Sequence, residues 1–595
     1  MLIGNDIKDA ISLVWNNKFQ EAENLLKDKS TISPRYSLHF AEIIFLRSFI
    51  TADVKDTESA LKRLKETREL AEKYISLLES NKTPPTYNQE LKSKEEFKNN
   101  LLDCKLVLGD SLYMLAVLQL TRDHKIKGCF NLRKSWKTFE ECLKQVKDTS
   151  STIKYEEDLL ECLHFGAGFF YFAMSIIPSN VIKFVELIGF KSDRDLGLQY
   201  IRDCSEKAGV RSAFATMVLL FNNLLLPRGL YNPTKHLKEA EVLIDDNLKR
   251  YPQGSLFQVM ASHCYRKQCR VDLGLECMQR AIENCSALPK PPLIYSYELA
   301  NCYLIKLDWS SAIGIFESLV KEENFQIRAL CGLQLAGCYV MMGEPKKAQD
   351  AFTKIKDYVK KSSSVDPIIL RQSQRYIANN GHFSAFEVMY IRRDMAKMER
   401  ISAEKTLLEL TKCAQQAGVE KPLACQANIG KNQPSTNSFF KSFSSLTKSK
   451  KDDLNTDNQI EDRASYLLLK GSVLKGIEKY EESMSCFEEL MSIQHLLQDK
   501  NFYVPYCLYE MSESYFHRKQ FDLSHDTLKK CNNHSNYDWE DPLKVKLRII
   551  FDQQKKDGAG GGNQIDQEEE DQQEQPIIQS ADQLENQMET LTVQE

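Results

Sequence analysis

The sequence predicts an all-α protein, a superhelix of stacked helix pairs (an α-solenoid), and three observations predict it. Apolar residues recur every three or four positions, as at Leu467, Leu468, Leu474 and Ile477, which is a helix period. A longer period lies over it: after Ser262 come Tyr265 at +3, Gly274 at +12, Met278 at +16 and Ala281 at +19. The same spacing returns at Ala300, Tyr303, Ala312, Phe316 and Leu319, then at Ala336, Tyr339, Ala348, Phe352 and Ile355. Finally, 595 residues exceed what one core holds, so several domains or an extended array are expected.

The spacing has a mechanical meaning. Small residues let helix A of a pair approach helix B, while the aromatic at +3 and the large apolar group at +16 fill the gap between them. This is a tetratricopeptide-like pattern, although the tyrosines at 265, 303 and 339 are 38 and 36 residues apart against a usual period of about 34. One pair cannot bury its own apolar stripe, so neighbours must stack to supply the core.

Taken in order, the N-terminal region (1–150) opens on the same spacing, with Ala10, Leu13, Ala22 and Leu26. Helices are expected at 36–51, 56–79, 95–122 and 126–147, interrupted where Pro84 and Pro85 forbid helix continuation. The central solenoid (151–429) contains the most apolar stretch, LHFGAGFFYFAMSIIPSNVIKFVELIGF at 163–190. Its near-continuous apolar run, with His164 inside its start, is stopped by Pro178, short of the roughly 20 residues that span a bilayer. Gly168 sits where a helix A approaches its partner, and Gly197 and Ile201 where a helix B answers, about 20 residues late on the repeat spacing. An inserted helix at 178–190 accounts for the delay. Val181, Phe184, Val185 and Ile188 form its apolar face, which either covers a solenoid seam, enters the groove or meets a lipid surface.

Residues 430–460 are rich in Asn, Ser and Lys and are expected to be an inserted disordered loop. The C-terminal repeats (461–555) show Gly471, Leu474, Ser483, Phe487 and Leu490, then Ser512, Tyr515, Ser524, Leu528 and Cys531. From 556 onward the chain is expected to be a disordered acidic tail. Residues 557–595 hold eleven acidic side chains and no Lys or Arg, so the overall charge of −4 conceals a body carrying +7.

Composition narrows the function. At 42% hydrophobic and 27% charged the chain is globular, neither a polytopic membrane protein nor wholly disordered. No Lys/Arg block interleaved with aromatics suits nucleic acid. The 17 cysteines include no Cys-x-x-Cys pair and the start lacks a signal-peptide layout. A cytoplasmic protein is expected, the nucleus being compatible as well.

Four stretches carry a resemblance: IKGCFNLRKSWKTFEEC (126–142), LHFGAGFFYFAMSIIPSNVIKFVELIGFKSDRDLGL (163–198), YELANCYLIKLDWSSA (297–312) and VPYCLYEMSESYF (504–516). Together they resemble the tetratricopeptide repeat protein 39 family, which includes the fungal inclusion body clearance protein. The most specific piece is the exit from the insert, Gly189, Phe190, Asp193, Arg194, Leu196, Gly197 and Leu198. The resemblance implies an all-helical adaptor of the cytosol and nucleus with no established catalytic centre. Its fungal branch implies a part in clearing aggregated protein, with links to lipid stores.

The sequence shows no phosphate-cradling G-x-x-x-x-G-K-[ST], no H-E-x-x-H and no nucleophile elbow. His263, Cys264 and Cys269 match no zinc spacing. Asp453, Asn455 and Asp457 have EF-hand spacing, but Asn458 replaces the turn glycine and Ala464 the bidentate Glu. No enzyme activity, cofactor, metal or small-molecule substrate is therefore expected. What a solenoid offers is the concave wall of its A helices, where Val259, His263, Arg266, Tyr297, Asn301, Leu304 and Leu333 are the candidate partner-binding groove. Val259, Tyr297 and Leu333 stand where a carboxylate clamp would need Lys, Asn or Arg, so the expected occupant is a peptide helix, an extended apolar segment or the chain's own insert. Arg393, Lys397 and Arg400 are expected to share a solvated helix face.

Overall fold

A computed structural model describes residues 3–51, 53–82, 84, 93–120, 122, 124–148, 152–176, 193–207, 209–226, 234–286, 288, 292–360, 363–421, 450–498 and 500–559. Among these residues there is no strand. The first helices are α1 (Asn5–Trp15), α2 (Phe19–Leu26), α3 (Pro34–Thr51), α4 (Val54–Glu79), α5 (Lys94–Leu120) and α6 (Lys125–Lys147). Next come α7 (Glu157–Ser175), α8 (Arg194–Glu206), α9 (Ser212–Leu220), α10 (Thr234–Arg250), α11 (Ser255–Lys267) and α12 (Val271–Glu283). They are followed by α13 (Leu293–Ile305), α14 (Trp309–Leu319), α15 (Arg328–Met341), α16 (Pro345–Lys354), α17 (Asp366–Ala378) and α18 (Ser384–Ile391). The last are α19 (Arg400–Gln416), α20 (Lys450–Gly476), α21 (Tyr480–Ser492), α22 (Tyr503–His517), α23 (Phe521–Asn532) and α24 (Glu540–Ala559).

The spacing read from the sequence is the packing register of this α-solenoid. In the pair α11–α12, Ser262, Met278 and Ala281 are fully buried; in α13–α14 so are Ala300, Ala312 and Phe316. Ala336 and Ile355 of the next pair are fully buried and Phe352 nearly so, as are Ser483, Phe487 and Leu490, then Ser512, Leu528 and Cys531. The aromatics at Tyr265 and Tyr303 are half-buried over the same seams. Gly168 and Gly197 meet as their spacing predicted: a Cβ on Gly168 would lie 2.8 Å from Tyr200 Cβ, and one on Gly197 only 2.8 Å from the Phe172 backbone nitrogen. No larger residue fits at the α7–α8 crossing.

A second register was not read from the sequence. Seven residues after the small residue of helix A in six of the pairs, the turn into helix B holds a left-handed residue. These are Asn17, Cys269, Leu307, Gly343, Glu478 and Lys519, all with φ between 59° and 71°. Only Asn and Gly adopt this conformation cheaply, so the other four are held there by the pairs they join. Helix starts are helped locally: Asp53 accepts from Lys55 N, Asp193 from Leu196 N and Asp308 from Ser311 N.

The expected helices at 36–51, 56–79, 95–122 and 126–147 correspond to α3–α6, which are far longer than the 13-residue helices of the central repeats. One buried apolar cluster runs from Ile3 to Cys302 and another from Val271 to Ile550, so the core passes position 150 without a break. Helix α20 begins at Lys450, inside the stretch expected to be a loop. The inserted helix expected at 178–190, the loop residues 430–449 and the tail from 560 lie outside the described residues.

The first pair is not a free end. Asn17 Nδ2 donates to the carbonyls of Gln253 (2.5 Å) and Asn284 (3.3 Å), while Ser255 Oγ donates to Asn17 Oδ1 (2.8 Å). Trp15 packs edge-on against Phe214 at 5.0 Å and tilted against Phe257 at 5.2 Å. The turn between α1 and α2 thus hydrogen-bonds residues more than 230 positions away.

Two outcomes test this account. Phe316→Ala should lower stability by about 3–5 kcal/mol, read as a drop in the urea midpoint. Lys519→Gly, at an exposed left-handed turn, should raise it by about 0.5–1 kcal/mol, and Gly343→Leu should lower it by at least as much.

Candidate functional site

All seven candidate groove residues face inward, yet none lines an open surface. Arg266 and Asn301 are wholly buried and Leu333, Leu304, Tyr297 and Val259 nearly so. His263 is largely buried. The chain itself covers them. Between α18 and α19 the connector 392–399 turns through Arg393, with φ 62°, into a short 3-10 turn at Met395–Lys397 and lies against α11, α13 and α20.

The contact is a buried charge network. Arg266 Nη2 donates to His263 Nδ1 and to Glu298 Oε2, both at 2.8 Å. Arg392 Nη1 donates to the Tyr297 hydroxyl at 2.6 Å, stacks its guanidinium 4.9 Å above that ring and lies 3.7 Å from Glu298 Oε1. Asp394, fully buried, accepts from Arg392 Nε (3.0 Å) and Lys397 Nζ (2.8 Å). Asn301 is occupied locally: its Nδ2 donates to Tyr297 O (2.8 Å) and its Oδ1 accepts from Gln334 Nε2 (2.9 Å).

Burial, together with Arg266 alongside, pushes the His263 imidazole down to about 3, so it is neutral near pH 7. Burial alone would push the Glu298 carboxyl up, but Arg266, His263 and Arg392 outweigh it and hold the group well below the usual carboxylate range.

Networks of the same kind thread both halves of the stack. On the N-terminal side Arg35 Nε donates to Asp103 (2.8 Å), and Arg211 bridges Glu42 (2.5 Å) and Asp110 (2.6 Å). On the C-terminal side Glu387 accepts from Arg375, Tyr376 (2.5 Å), Ser465 (2.6 Å) and Tyr503 (3.1 Å). There too Glu513 collects Lys475, Lys546 (3.0 Å) and Arg393 (3.6 Å). Such pairs add little net stability, because desolvation opposes their attraction, but leaving one partner alone is costly. They fix which surfaces meet.

The shared solvated face expected for Arg393, Lys397 and Arg400 is not there. Lys397 is mostly buried on Asp394, Arg393 leaves the helical path, and only Arg400, paired with Glu404, is on a helix surface. Sequence reasoning missed Glu298, Arg392 and Asp394. The candidate interaction helix, with Val181, Phe184, Val185 and Ile188, lies outside the described residues. Among the described residues no group of three His, Cys, Asp or Glu side chains could hold a metal, and no helix is long and apolar enough to cross a membrane.

The profile of the Iml2/Tetratricopeptide repeat protein 39 family matches residues 8–477. The chain belongs to this family. The matched span runs from the first helix pair to the end of α20 and so includes the covered wall. Among solved structures, the chain is similar to a human IFIT1 dimer with PPP-AAAA, at 15% identity over 82% of this chain and 95% of that one, with TM-score 0.30. It is also similar to the P58(IPK) TPR domain (10% identity, 89% and 99% covered, TM-score 0.21). A third is the APC/C hetero-tetramer Cut9-Hcn1 (10%, 90% and 94%, TM-score 0.23). Likeness at this level bears on no function of the family member described here.

Because His263 is neutral in the fold but titrates near 6.5 when unfolded, its contribution is complete above pH 6.5 and is lost as pH falls toward about 3. Glu298, depressed in the fold, acts in the same direction below its ordinary 4.5. Acidification from pH 7 to 4 should therefore destabilise the closed wall by about 1–3 kcal/mol, and His263→Gln should remove part of that loss. Amide exchange across residues 390–400 as a function of pH measures both.

Proposed function

We propose that this protein is a non-enzymatic helical-repeat scaffold, an adaptor that binds protein partners and serves the clearance of aggregated proteins. The observation that carries this is the stack itself. At the first pair, in the central repeats and again near the C-terminus, helix pairs repeat the same seam and the same left-handed turn, a build that spends its sequence on extended surface rather than on a reactive pocket. Family membership supports the scaffold, and its fungal branch supports the setting.

Val259, His263, Arg266, Tyr297, Asn301, Leu304 and Leu333 are the partner-facing wall of this scaffold in a form with the 392–399 connector drawn aside. The N-terminal region (1–150) and the C-terminal repeats (461–555) flank that wall as supporting arms. Closure by the chain's own polar segment keeps the apolar part of the wall from non-specific capture until a partner competes for it.

Proximity labelling in cells with the full chain and with Arg392→Ala/Asp394→Ala tests the wall. The double variant, with helix content retained, should enrich a set of partners at least about three-fold, as expected when a competing internal contact is weakened. An unchanged partner set would exclude the wall. Separately, cells lacking the protein should retain protein aggregates longer, and the full chain should restore their removal.

A further inference from the structure

Helix α6 carries Lys125, Lys127, Arg133, Lys134, Lys137, Lys144 and Lys147 against only Glu140 and Glu141. Its inner face buries Leu132, Trp136, Phe139 and Leu143. That orientation is pinned at Gly128, where an added Cβ would lie 2.7 Å from Leu120 Cγ. The outer face therefore stays outside, and it holds Ile126, 67% exposed, and Phe130, 44% exposed. At 100° per residue, Ile126, Phe130, Arg133 and Lys137 fall within about 60° of one another. An apolar pair thus sits at the head of a basic stripe.

Other exposed apolar pairs lack that charge. Ile401 and Leu408 share a face of α19, but Glu404 and Glu409 alternate there with Lys405 and Lys412. Phe521 and Leu523 of α23 are exposed, but two residues apart on a helix they face nearly opposite ways.

The complementary chemistry is in the same chain. After Ala559, where α24 ends, residues 560–595 contain ten acidic residues and no Lys or Arg. Within them Ile577, Ala581, Leu584, Met588 and Leu591 follow at +4, +3, +4 and +3, the spacing of a single helix face, with Asp582, Glu585 and Glu589 together on one flank.

We propose that the acidic segment 577–591 docks as an amphipathic helix on the outer face of α6. Leu584 and Met588 cover Ile126 and Phe130, and the carboxylates meet Lys134 and Lys137. The intervening residues reach up to about 60 Å when extended, and a tethered segment docks intramolecularly within that radius. Individual surface ion pairs contribute little, so the apolar contact sets the register and the charges make the docking salt-sensitive. Lys134 already holds Glu72 at 2.8 Å, and the incoming carboxylates share it.

Carbodiimide cross-linking of the full chain, which joins only amines and carboxylates already in contact, tests this by peptide mapping. Links from Lys134, Lys137 or Lys144 to Asp582, Glu585 or Glu589 are expected, falling about five-fold in 0.5 M salt. Phe130→Asp, at an exposed position, should abolish them with helix content unchanged, and Met588→Asp should do the same from the other side. Links spread evenly over lysines of other helices, or insensitive to both variants, would overturn the proposal. So would links joining isotopically labelled to unlabelled chains in a mixture, which assign the contact to a second copy. Flotation with phosphatidylserine vesicles that depends on Phe130, in the absence of tail links, would give the face to a membrane instead.

Discussion

The structure depends on one steric constraint: an amphipathic helix pair has more apolar surface than it can hide, and its helices must approach closely enough to leave no gap. Ser262, Ala300, Ala336, Gly471 and Ser512 are small because the partner helix crosses directly over them. Phe316, Phe352 and Phe487 are large because each fills the wedge that opens beside that crossing. The Gly168–Gly197 contact is the limiting case, with backbone against backbone. The buried seams of the central and C-terminal pairs follow from repeating this solution along the chain.

Buried charge then decides which turns of the stack meet. Apolar seams are similar to one another and would tolerate mispairing, whereas Arg392 reaches Tyr297 and Glu298 together only in one arrangement. Arg211 between Glu42 and Asp110, and Glu387 beneath Arg375, Tyr376 and Tyr503, impose the same selectivity at either side. The price is desolvation, partly recovered by charge-assisted hydrogen bonds. The wall that looks like a binding groove from its own helices is, in the assembled chain, an internal interface.

How far the sequence discloses this varies with the range of the interaction. Helix positions and buried seam residues are readable because both partners lie within about 20 residues and obey a fixed spacing. The left-handed turns are half readable: Asn17 and Gly343 announce themselves, but Cys269, Leu307, Glu478 and Lys519 carry no local preference for φ above zero and are forced by the fold. The inward direction of Val259, Tyr297 and Leu304 is readable from helical phase. What covers them is not, because Arg392 lies 95 residues from Tyr297 and its charge reads, in isolation, as a solvated surface. Family membership was legible for a different reason, in the unusual exit from the insert around Asp193, Arg194 and Gly197.

The polar hook at Asn17 sets a schedule for biogenesis. Its acceptors at Gln253 and Asn284 do not exist until nearly half the chain has been made. At about 5–20 residues per second, the first helix pair waits some 15–50 s at the ribosome surface with Trp15 and its neighbours uncovered. Over that interval α1 and α2 have α3 to pack against, while the side of Trp15 that later meets Phe214 and Phe257 stays open.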